Sequence, residues 1–333
     1  MTRANAITLL LWVGAIALAT WILKDLPLDS MQQGLMRLSF SQWSFWLILN
    51  VLVMALSTLR WYALITALQG TVSFLALTLI RLAGQTISFV TPGPQFGGEP
   101  MQIYWLYKRQ GLALPKSVLS LGLDRFLELW VNFAVLLLGA LLLLLSPRMA
   151  FADWNQVALI LLLLLLGIPI LFLVMFRRPQ WITQRLHPHV TRWLSHPRLA
   201  ALRSHQDALE EDFKELLRHR KGVLVQALGL SIFNWAVILA ELWLLLYFAQ
   251  VSVDLQGFTL IAVSIRLAML LPLPGGIGTI EAALLWSIQM LGYELSDAIV
   301  LIALMRLRDS LILLAGAASL AALRTKGTSP ETT

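Results

Sequence analysis

The chain has 333 residues, of which 58% are hydrophobic and 13% are charged, and its mean hydropathy is +0.76. A soluble domain of this length could not bury so much apolar surface, so the composition predicts an all-α polytopic membrane protein with a single membrane domain over residues 1–333. The absence of cysteine excludes disulfides, thiol catalysis and cysteine metal sites. We expect the net charge of +7 to mark cytoplasmic loops beside anionic lipid headgroups rather than a nucleic-acid interface.

The first apolar run, Ile7–Leu23, is predicted to be an uncleaved anchor with its N-terminus in the cytoplasm, because further spans follow it. The long polar segment Arg177–Lys221 is rich in arginine and contains all five histidines, so we assign it as a cytoplasmic linker. The basic C-terminus is assigned to the same side, in a bacterial inner membrane. The other predicted helices are, in chain order, Trp43–Leu68, Phe74–Val90, Glu99–Gln110, Ser117–Leu145, Gln156–Phe176, the amphipathic Asp207–Arg220, Gly222–Ala249, Phe258–Leu271, Ile280–Leu291 and Ala298–Leu323.

Two proline- and glycine-rich stretches interrupt the apolar pattern: Thr91–Pro100 (TPGPQFGGEP) and Leu271–Glu281 (LPLPGGIGTIE). Proline cannot continue a helix, and glycine lets backbones approach closely. We interpret each stretch as the tip of a re-entrant hairpin, because Glu99–Gln110 is too short and too polar to cross about 30 Å of hydrocarbon. Two full crossings remain the alternative that gives the same topology.

The same order of features occurs in both halves of the chain, at about 41–145 and about 222–323. Each half has an arginine, a Pro-x-Pro turn, a glycine cluster with one glutamate, a later glycine and an Asp-Arg or Arg-Asp pair. The predicted topology opens the two hairpins to opposite sides of the membrane. This pattern predicts an inverted repeat of about six full spans and two re-entrant hairpins, an arrangement found in many secondary transporters.

Many charged residues lie within the predicted membrane segments, where each needs a partner or a wet cavity. Asp124 and Glu128 share a helix face and could hold an arginine from another helix, and Arg306 and Asp309 could pair likewise. Arg60 and Glu241 lie nearer the predicted helix ends, where snorkelling or pairing would explain them equally well. The predicted substrate-binding residues are Arg81, Gly97, Gly98, Glu99, Asp124, Arg125, Glu128, Arg266, Gly275, Gly276, Gly278, Glu281, Arg306, Arg308 and Asp309.

An excess of arginine over carboxylate in the second half favours phosphate as the ligand, because guanidinium binds phosphate in a bidentate way. We therefore expect an anionic phospholipid or a polyprenyl-phosphate lipid as substrate, with Glu99 and Glu281 positioning the arginines or responding to protons. No catalytic residue, cofactor or metal site is predicted. His187 and His189 lie in a Pro- and Arg-rich loop without nearby carboxylates, which makes a metal site there unconvincing.

The residues of these motifs resemble the lysylphosphatidylglycerol synthase transmembrane-region family, also described as the flippase-like membrane domain. The similar residues are the TPGPQFGGEP stretch, Lys108–Gly111, Asp124-Arg125, and PLPGGIGTIE preceded by Arg266, and the resemblance extends over roughly Ile7 to Leu323. It implies a lipid-translocating domain, as in the flippase half of synthases that move aminoacylated phosphatidylglycerol to the outer leaflet. It also implies links to polyprenyl-phosphate sugars or hopanoids.

Two other functions stay open at this point. One is an enzyme acting on a membrane lipid, with Asp124 and Glu128 as acid and base. The other is a non-catalytic partner that recruits a glycosyltransferase through the segment 177–221, and the oligomeric state, including a homodimer, is also open.

Overall fold

The computed structural model describes residues 36–91, 97–146, 153–177, 206–271 and 273–325. These residues form helices and no strand, which confirms the all-α prediction. The helices are α1 (Phe40–Ala67), α2 (Phe74–Val90), α3 (Glu99–Gln110), α4 (Leu114–Leu144), α5 (Trp154–Arg177), α6 (Gln206–His219), α7 (Lys221–Phe248), α8 (Leu255–Ala268), α9 (Thr279–Met290) and α10 (Leu295–Thr325), with a 3₁₀ turn at Pro274–Gly276. The predicted anchor Ile7–Leu23 lies outside the described residues, as do residues 92–96 of the first Pro/Gly stretch.

The helix ends follow from local sequence chemistry, and each prediction within these ranges was correct to within a few residues. Ser39 caps α1 by accepting a hydrogen bond from the Gln42 N–H, and Ser73 and Asp254 cap α2 and α8 in the same way. Gly111 ends α3 in the left-handed conformation with φ 68°. Proline begins or nearly begins α3 and α4, where its missing N–H costs nothing.

Four helices of the described chain are long and apolar enough to cross a membrane: α1, α4, the first 18 residues of α5, and α7. Helix α10 has 31 residues but carries Arg306, Arg308 and Asp309 and is not among the four. The helices beside the Pro/Gly stretches are shorter, at 17 and 12 residues for α2 and α3 and 14 and 12 for α8 and α9. The chain is therefore a multi-pass helical membrane protein.

A series of four helices occurs twice with closely matching lengths. Helices α1 to α4 have 28, 17, 12 and 31 residues, and α7 to α10 have 28, 14, 12 and 31. Corresponding residues of the two series are the same number of residues apart in the chain. This holds for the starts of α1 and α7, for Gln69 and Gln250, and for Gly111 and Gly292. Gln69 and Gln250 both follow a helix end with left-handed φ of 58° and 60°, so even the turns correspond.

Helices α1 and α7 pack side by side in opposite directions. The start of α1, at Trp46 and Leu49, lies in one apolar cluster with Leu244 and Leu245 near the end of α7. The end of α1, at Leu64, lies in another cluster with the start of α7. Reciprocal contacts join the two series, because α2 packs on α10 and α4 packs on α8. Glycine permits both: the position of a Cβ on Gly316 would be 1.8 Å from the Thr86 hydroxyl, and one on Gly139 would be 2.6 Å from Val263.

The amphipathic helix α6 packs against the bundle, which is one of the two placements, on the membrane surface or against the bundle, that its apolar spacing predicted. Phe213 and Leu216 are 5% and 1% exposed and share an apolar cluster with Leu64 on α1, Leu119 on α4 and Ala227 on α7. The acidic face remains outside, where Lys214 pairs with Glu210 at 2.6 Å. Helix α6 therefore covers the end of the bundle at which α1 ends and α7 begins.

Close backbone contacts bring the two Pro/Gly regions together. Gly98 lies so near α2 that a Cβ on it would be 2.0 Å from the Gly84 carbonyl oxygen, and its N–H donates to the Ser88 hydroxyl at 2.9 Å. The ring of Phe89, near the end of α2, fills the space beside Gly275, where a Cβ would be 2.3 Å away. The second Pro/Gly turn thus rests directly on the arm of the first.

We predict that Gly275→Ala destabilises the protein, since the left-handed φ of 59° and the Phe89 ring both oppose a Cβ there. The backbone strain alone costs about 1–2 kcal/mol. Thermal unfolding in detergent measures the effect, and adding Phe89→Ala should restore part of the loss because the clash is removed. Gly229→Ala is the matched control, since no atom lies within 4 Å of its Cβ position. An equal effect of the two alanines would contradict the packing described here.

Candidate functional site

The first group of buried charges is centred on Asp124 of α4. One carboxylate oxygen accepts a hydrogen bond from the Arg60 Nε at 2.7 Å, and the other accepts one from an Arg81 guanidinium nitrogen at 2.8 Å. The side chains of Arg60, Arg81 and Asp124 are 2%, 2% and 0% exposed. Arg81 also lies over the Trp61 ring, 5.1 Å from its centroid. Asp124 thus joins α1, α2 and α4 and has no surface with which to contact a substrate.

The next residue, Arg125, links the first hairpin to α4. Its guanidinium donates to Glu128 at 2.9 Å and lies 3.3 Å from a Glu99 carboxylate oxygen. The other Glu99 oxygen accepts from the Gly97 N–H at 2.7 Å. Arg60 also donates to Glu128 at 3.2 Å, as predicted for an arginine held by the shared face of Asp124 and Glu128. The backbone N–H groups of Gly97 and Gly98 therefore donate to Glu99 and Ser88 of the same hairpin.

The second group has the same form around Arg306 of α10. Its Nε donates to Glu281 at 2.6 Å and a terminal nitrogen donates to Asp309 at 2.9 Å, which confirms the predicted Arg306–Asp309 pair. The other Glu281 oxygen accepts from the Gly278 N–H at 2.9 Å. The terminal nitrogens of Arg306 also approach the carbonyl oxygens of Gly275 and Gly276 at 3.5 and 3.4 Å.

The two groups correspond residue by residue. Arg125 and Arg306 occupy the same position along α4 and α10, each binds the glutamate of its hairpin, and each pairs with an acid three residues later. This correspondence corrects our alignment of Asp124-Arg125 with Arg308-Asp309. The hairpin contacts differ, because Arg306 makes a 2.6 Å hydrogen bond to Glu281, whereas the Glu99 oxygen and the Arg125 Nε are buried, 3.3 Å apart and without a hydrogen bond.

Arg308 does not lie free in a cavity. It donates to Glu241 of α7 at 3.3 Å and to Asp309 at 3.2 Å. Glu241 is 4% exposed and stands on α7 at the position that Arg60 occupies on α1. The second half therefore has three carboxylates, Glu241, Glu281 and Asp309, for its three arginines. The predicted excess of arginine was wrong because Glu241 was set apart as a helix-end residue.

Arg266 of α8 differs from the other arginines named above. No carboxylate lies within ion-pair distance of it in the part of the chain that the structure describes. Its guanidinium stacks on the Trp235 ring, 4.6 Å from the centroid, and contacts the Met269 sulfur at 3.8 Å. It lies within electrostatic range of Arg308 and Glu241 of the second group and of Glu128 of the first.

Parts of both charge groups reach an accessible surface. Glu128 lies near the middle of α4 and its side chain is 45% exposed, and Arg306 and Arg308 are 25% and 22% exposed. An ionised side chain at this depth is stable only beside water or an opposite charge. Each charge group therefore has ionised side chains that are partly accessible and also paired with an opposite charge. No cluster of residues that could hold a metal ion occurs among the described residues.

Arg60, Glu241 and Trp235 are the contributors that sequence reasoning missed or undervalued. The sequence did contain a signal for Arg60 and Glu241: they are as many residues apart as Arg125 and Arg306. In two corresponding helix series, this equal separation places the members of each pair at equivalent positions. Nothing in the sequence singled out Trp235 among the thirteen tryptophans. Its role follows only from the packing of α7 beside α8.

We predict that Asp124→Asn unfolds or strongly destabilises the protein, because it leaves Arg60 and Arg81 buried without their shared carboxylate. Breaking a buried ion pair in this way costs about 3–5 kcal/mol. The measurement is the thermal unfolding midpoint in detergent, together with monodispersity by gel filtration. Glu210→Gln is the control, since the same neutralisation at an exposed helix pair costs about 0.3–0.5 kcal/mol. A stable Asp124→Asn protein would contradict the central role of this carboxylate.

Comparison with known proteins agrees with the residues that carry the resemblance. The family model of the lysylphosphatidylglycerol synthase TM region matches residues 5–316. A UPF0104 membrane protein of Methanothermobacter thermautotrophicus is 23% identical over 295 residues, which cover 83% of each chain. No solved structure matches this chain. Because the family model covers nearly the whole chain, including both Pro/Gly turns and both charge groups, the protein belongs to the lysylphosphatidylglycerol synthase transmembrane-region family.

Proposed function

We propose that this protein is a flippase-like transporter that moves a lipid with an anionic phosphate headgroup, a phospholipid or a polyprenyl-phosphate lipid, between the leaflets of a membrane. The observation that carries the proposal is Arg266, a guanidinium inside the bundle that lacks a carboxylate partner among the described residues. An intramembrane cation needs an anion, and a phosphate can accept two of its N–H groups at once. The Trp235 ring holds the guanidinium plane and leaves its edge for the ligand.

The charges near Arg266 favour reversible binding of a ligand over permanent binding. Arg308, Glu241 and Glu128 lie within electrostatic range of Arg266, and the two carboxylates oppose the attraction of the arginines for a phosphate. Arg306 and Arg308 are 25% and 22% exposed, so each can offer N–H groups in addition to those in its ion pairs. A transport site must bind its cargo and also release it, so partial neutralisation of the arginines is favourable.

The architecture supports an alternating mechanism. At 1.5 Å per residue, α3 and α9 reach only about 18 Å, which is short of the roughly 30 Å hydrocarbon core. We infer that both hairpins are re-entrant. The antiparallel packing of α1 on α7 and the matching helix series support two repeats of opposite orientation, with α6 and the rest of 177–221 as the linker. Interior sites between such repeats can be opened to either side by rocking one repeat against the other.

The unequal hairpin contacts suggest how that motion is controlled. We call each contact between a hairpin glutamate and an arginine of a long helix a latch. We infer that the Glu281–Arg306 latch is closed, that the Glu99–Arg125 latch is loosened, and that the two exchange these states during a transport cycle. Each latch joins a hairpin to the long helix of its own repeat. Releasing one while the other holds would open the site to one side at a time.

The alternatives receive less support from these contacts. Asp124 is enclosed by two arginines, so it cannot exchange a proton with a lipid as an acid–base enzyme would require. Helix α6 uses its apolar face to cover the bundle, which leaves that face unavailable for recruiting a glycosyltransferase. We keep the lipid itself as the proposed partner, in a bacterial inner membrane with both termini in the cytoplasm.

The orientation of the repeats can be tested on the natural cysteine-free background. Thr71→Cys and Ser252→Cys place thiols at equivalent exposed positions in the α1–α2 and α7–α8 connections. A membrane-impermeant maleimide should label Thr71→Cys from the cytoplasmic side and Ser252→Cys from the opposite side. Labelling of both from the same side would contradict the inverted arrangement.

The transport site can be tested by reconstitution with fluorescent phosphatidylglycerol and measurement of its movement between leaflets. Loss of a charge-assisted contact worth about 1.5–3 kcal/mol predicts a roughly 10- to 100-fold slower rate for Arg266→Ala. Because no ion pair is broken, its thermal stability should be unchanged or raised, unlike that of Asp124→Asn. Arg218→Ala, at an exposed arginine on α6, is the control. Unchanged transport by Arg266→Ala would refute the site, and absence of transport by the wild type would refute the function.

A further inference from the structure

A second cavity lies at the end of the bundle opposite helix α6. Its volume is about 550 Å³, within the range typical of small-molecule sites. The segment before α1, the last turns of α7 and the α7–α8 connection form its walls, with Val300 of α10 at one side. Because α1 begins and α7 ends here, the cavity opens where the spanning helices reach the membrane surface.

Aromatic side chains make one wall of this cavity flat and apolar. Trp243 and Tyr247 stack with ring centroids 6.1 Å apart and an interplanar angle of 13°. Both remain accessible, at 60% and 62% exposed. Aromatic rings at this depth favour the boundary between headgroups and hydrocarbon, and they suit the glycerol and upper acyl region of a lipid.

The facing wall supplies a cation and an amide donor. Arg37 is exposed, and no carboxylate lies within ion-pair distance of it in the described parts of the chain. The Gln42 side-chain oxygen accepts from the Ser39 N–H at 2.8 Å, so its amide N–H groups are not used by this helix cap. Gln250 adds a second amide on the connection after α7. These groups can bind a phosphate without separating an existing ion pair.

The corresponding end of the other helix series is closed. Arg37 is equivalent to Arg218 in the correspondence between α1 and α7, and Tyr247 is equivalent to Thr66. The arginine therefore occurs at both ends, whereas the aromatic stack occurs at one. Leu209, Phe213 and Leu216 of α6 pack there against α1 and α4. Helix α6 therefore covers one end, and among the described residues the other end presents an aromatic stack beside an arginine.

We propose that this cavity is a second lipid site, which holds the phosphate headgroup of an anionic phospholipid at the membrane surface. Arg37 and the amide of Gln42 bind the phosphate, and the Trp243–Tyr247 stack supports the glycerol and the first part of an acyl chain. The site is separate from Arg266 and does not depend on transport. On the topology proposed above it faces away from the cytoplasm.

The experiment is native mass spectrometry of the full chain after purification in mild detergent with added phosphatidylglycerol. The wild type should retain this lipid, and Arg37→Ala or Trp243→Ala should lower the retained fraction about tenfold, as expected from losing one charge-assisted or stacking contact. Arg218→Ala is the matched control and should retain the lipid as the wild type does. Because Arg266 is proposed to bind the same lipid, bound lipids are counted per chain: Arg37→Ala should lose one lipid, and Arg266→Ala should keep the lipid that Arg37→Ala loses.

Three results would overturn the proposal. These are equal retention by wild type and Arg37→Ala, equal retention of phosphatidylcholine and phosphatidylglycerol, and displacement of the lipid by millimolar inorganic phosphate, which would indicate a site for free anions. A lack of retention by the wild type would overturn it as well. Arg37→Lys and Trp243→Phe, with thermal unfolding midpoints recorded, separate a binding defect from misfolding: both should unfold as the wild type does and retain the lipid better than the alanine variants.

Discussion

The cost of burying charge in an apolar medium governs the arrangement of this protein. Asp124, at the centre of the first charge group, neutralises arginines from two other helices and thereby fixes where α1, α2 and α4 meet. Without such pairing, helices that carry arginine could not remain inside a bilayer at the depth that their apolar neighbours dictate. The ion pairs therefore act as specific joints between helices whose apolar surfaces alone would pack in many ways.

Glycine provides the second condition for this architecture. Gly84 and Gly98 let the arms of the first hairpin touch, and Gly275 accepts the ring of Phe89 where any side chain would collide. The hairpin glutamates, Glu99 and Glu281, then bind both a glycine N–H of their own turn and an arginine of a long helix. A turn rich in proline and glycine leaves backbone groups without helical partners, and these contacts supply some of them from within the protein.

Against this background of paired charge, Arg266 is the place where we propose that an external ligand competes. Most buried arginines of the two groups serve to hold the bundle together, so the transport proposal depends on one exposed edge rather than on a general positive surface. The interfacial cavity near Arg37 is distinct from the Arg266 site, because there an arginine and an aromatic stack face the membrane boundary. The two sites would act on the same class of lipid by different means, one at depth and one at the surface.

The sequence by itself determined the membrane class, the described helices to within a few residues at each end, the two Pro/Gly interruptions and the likeness between the halves, because these depend on local hydropathy and backbone chemistry. It also predicted that Asp124 and Glu128 hold an arginine and that Arg306 pairs with Asp309, since helical spacing fixes which side chains share a face. The tertiary structure alone decided which arginine meets which acid: Arg60 with Asp124, Arg308 with Glu241, and Arg266 with a tryptophan in place of a carboxylate. Those pairings depend on which helices become neighbours, and that is set by long-range packing such as α1 against α7, for which a single sequence contains no local signal.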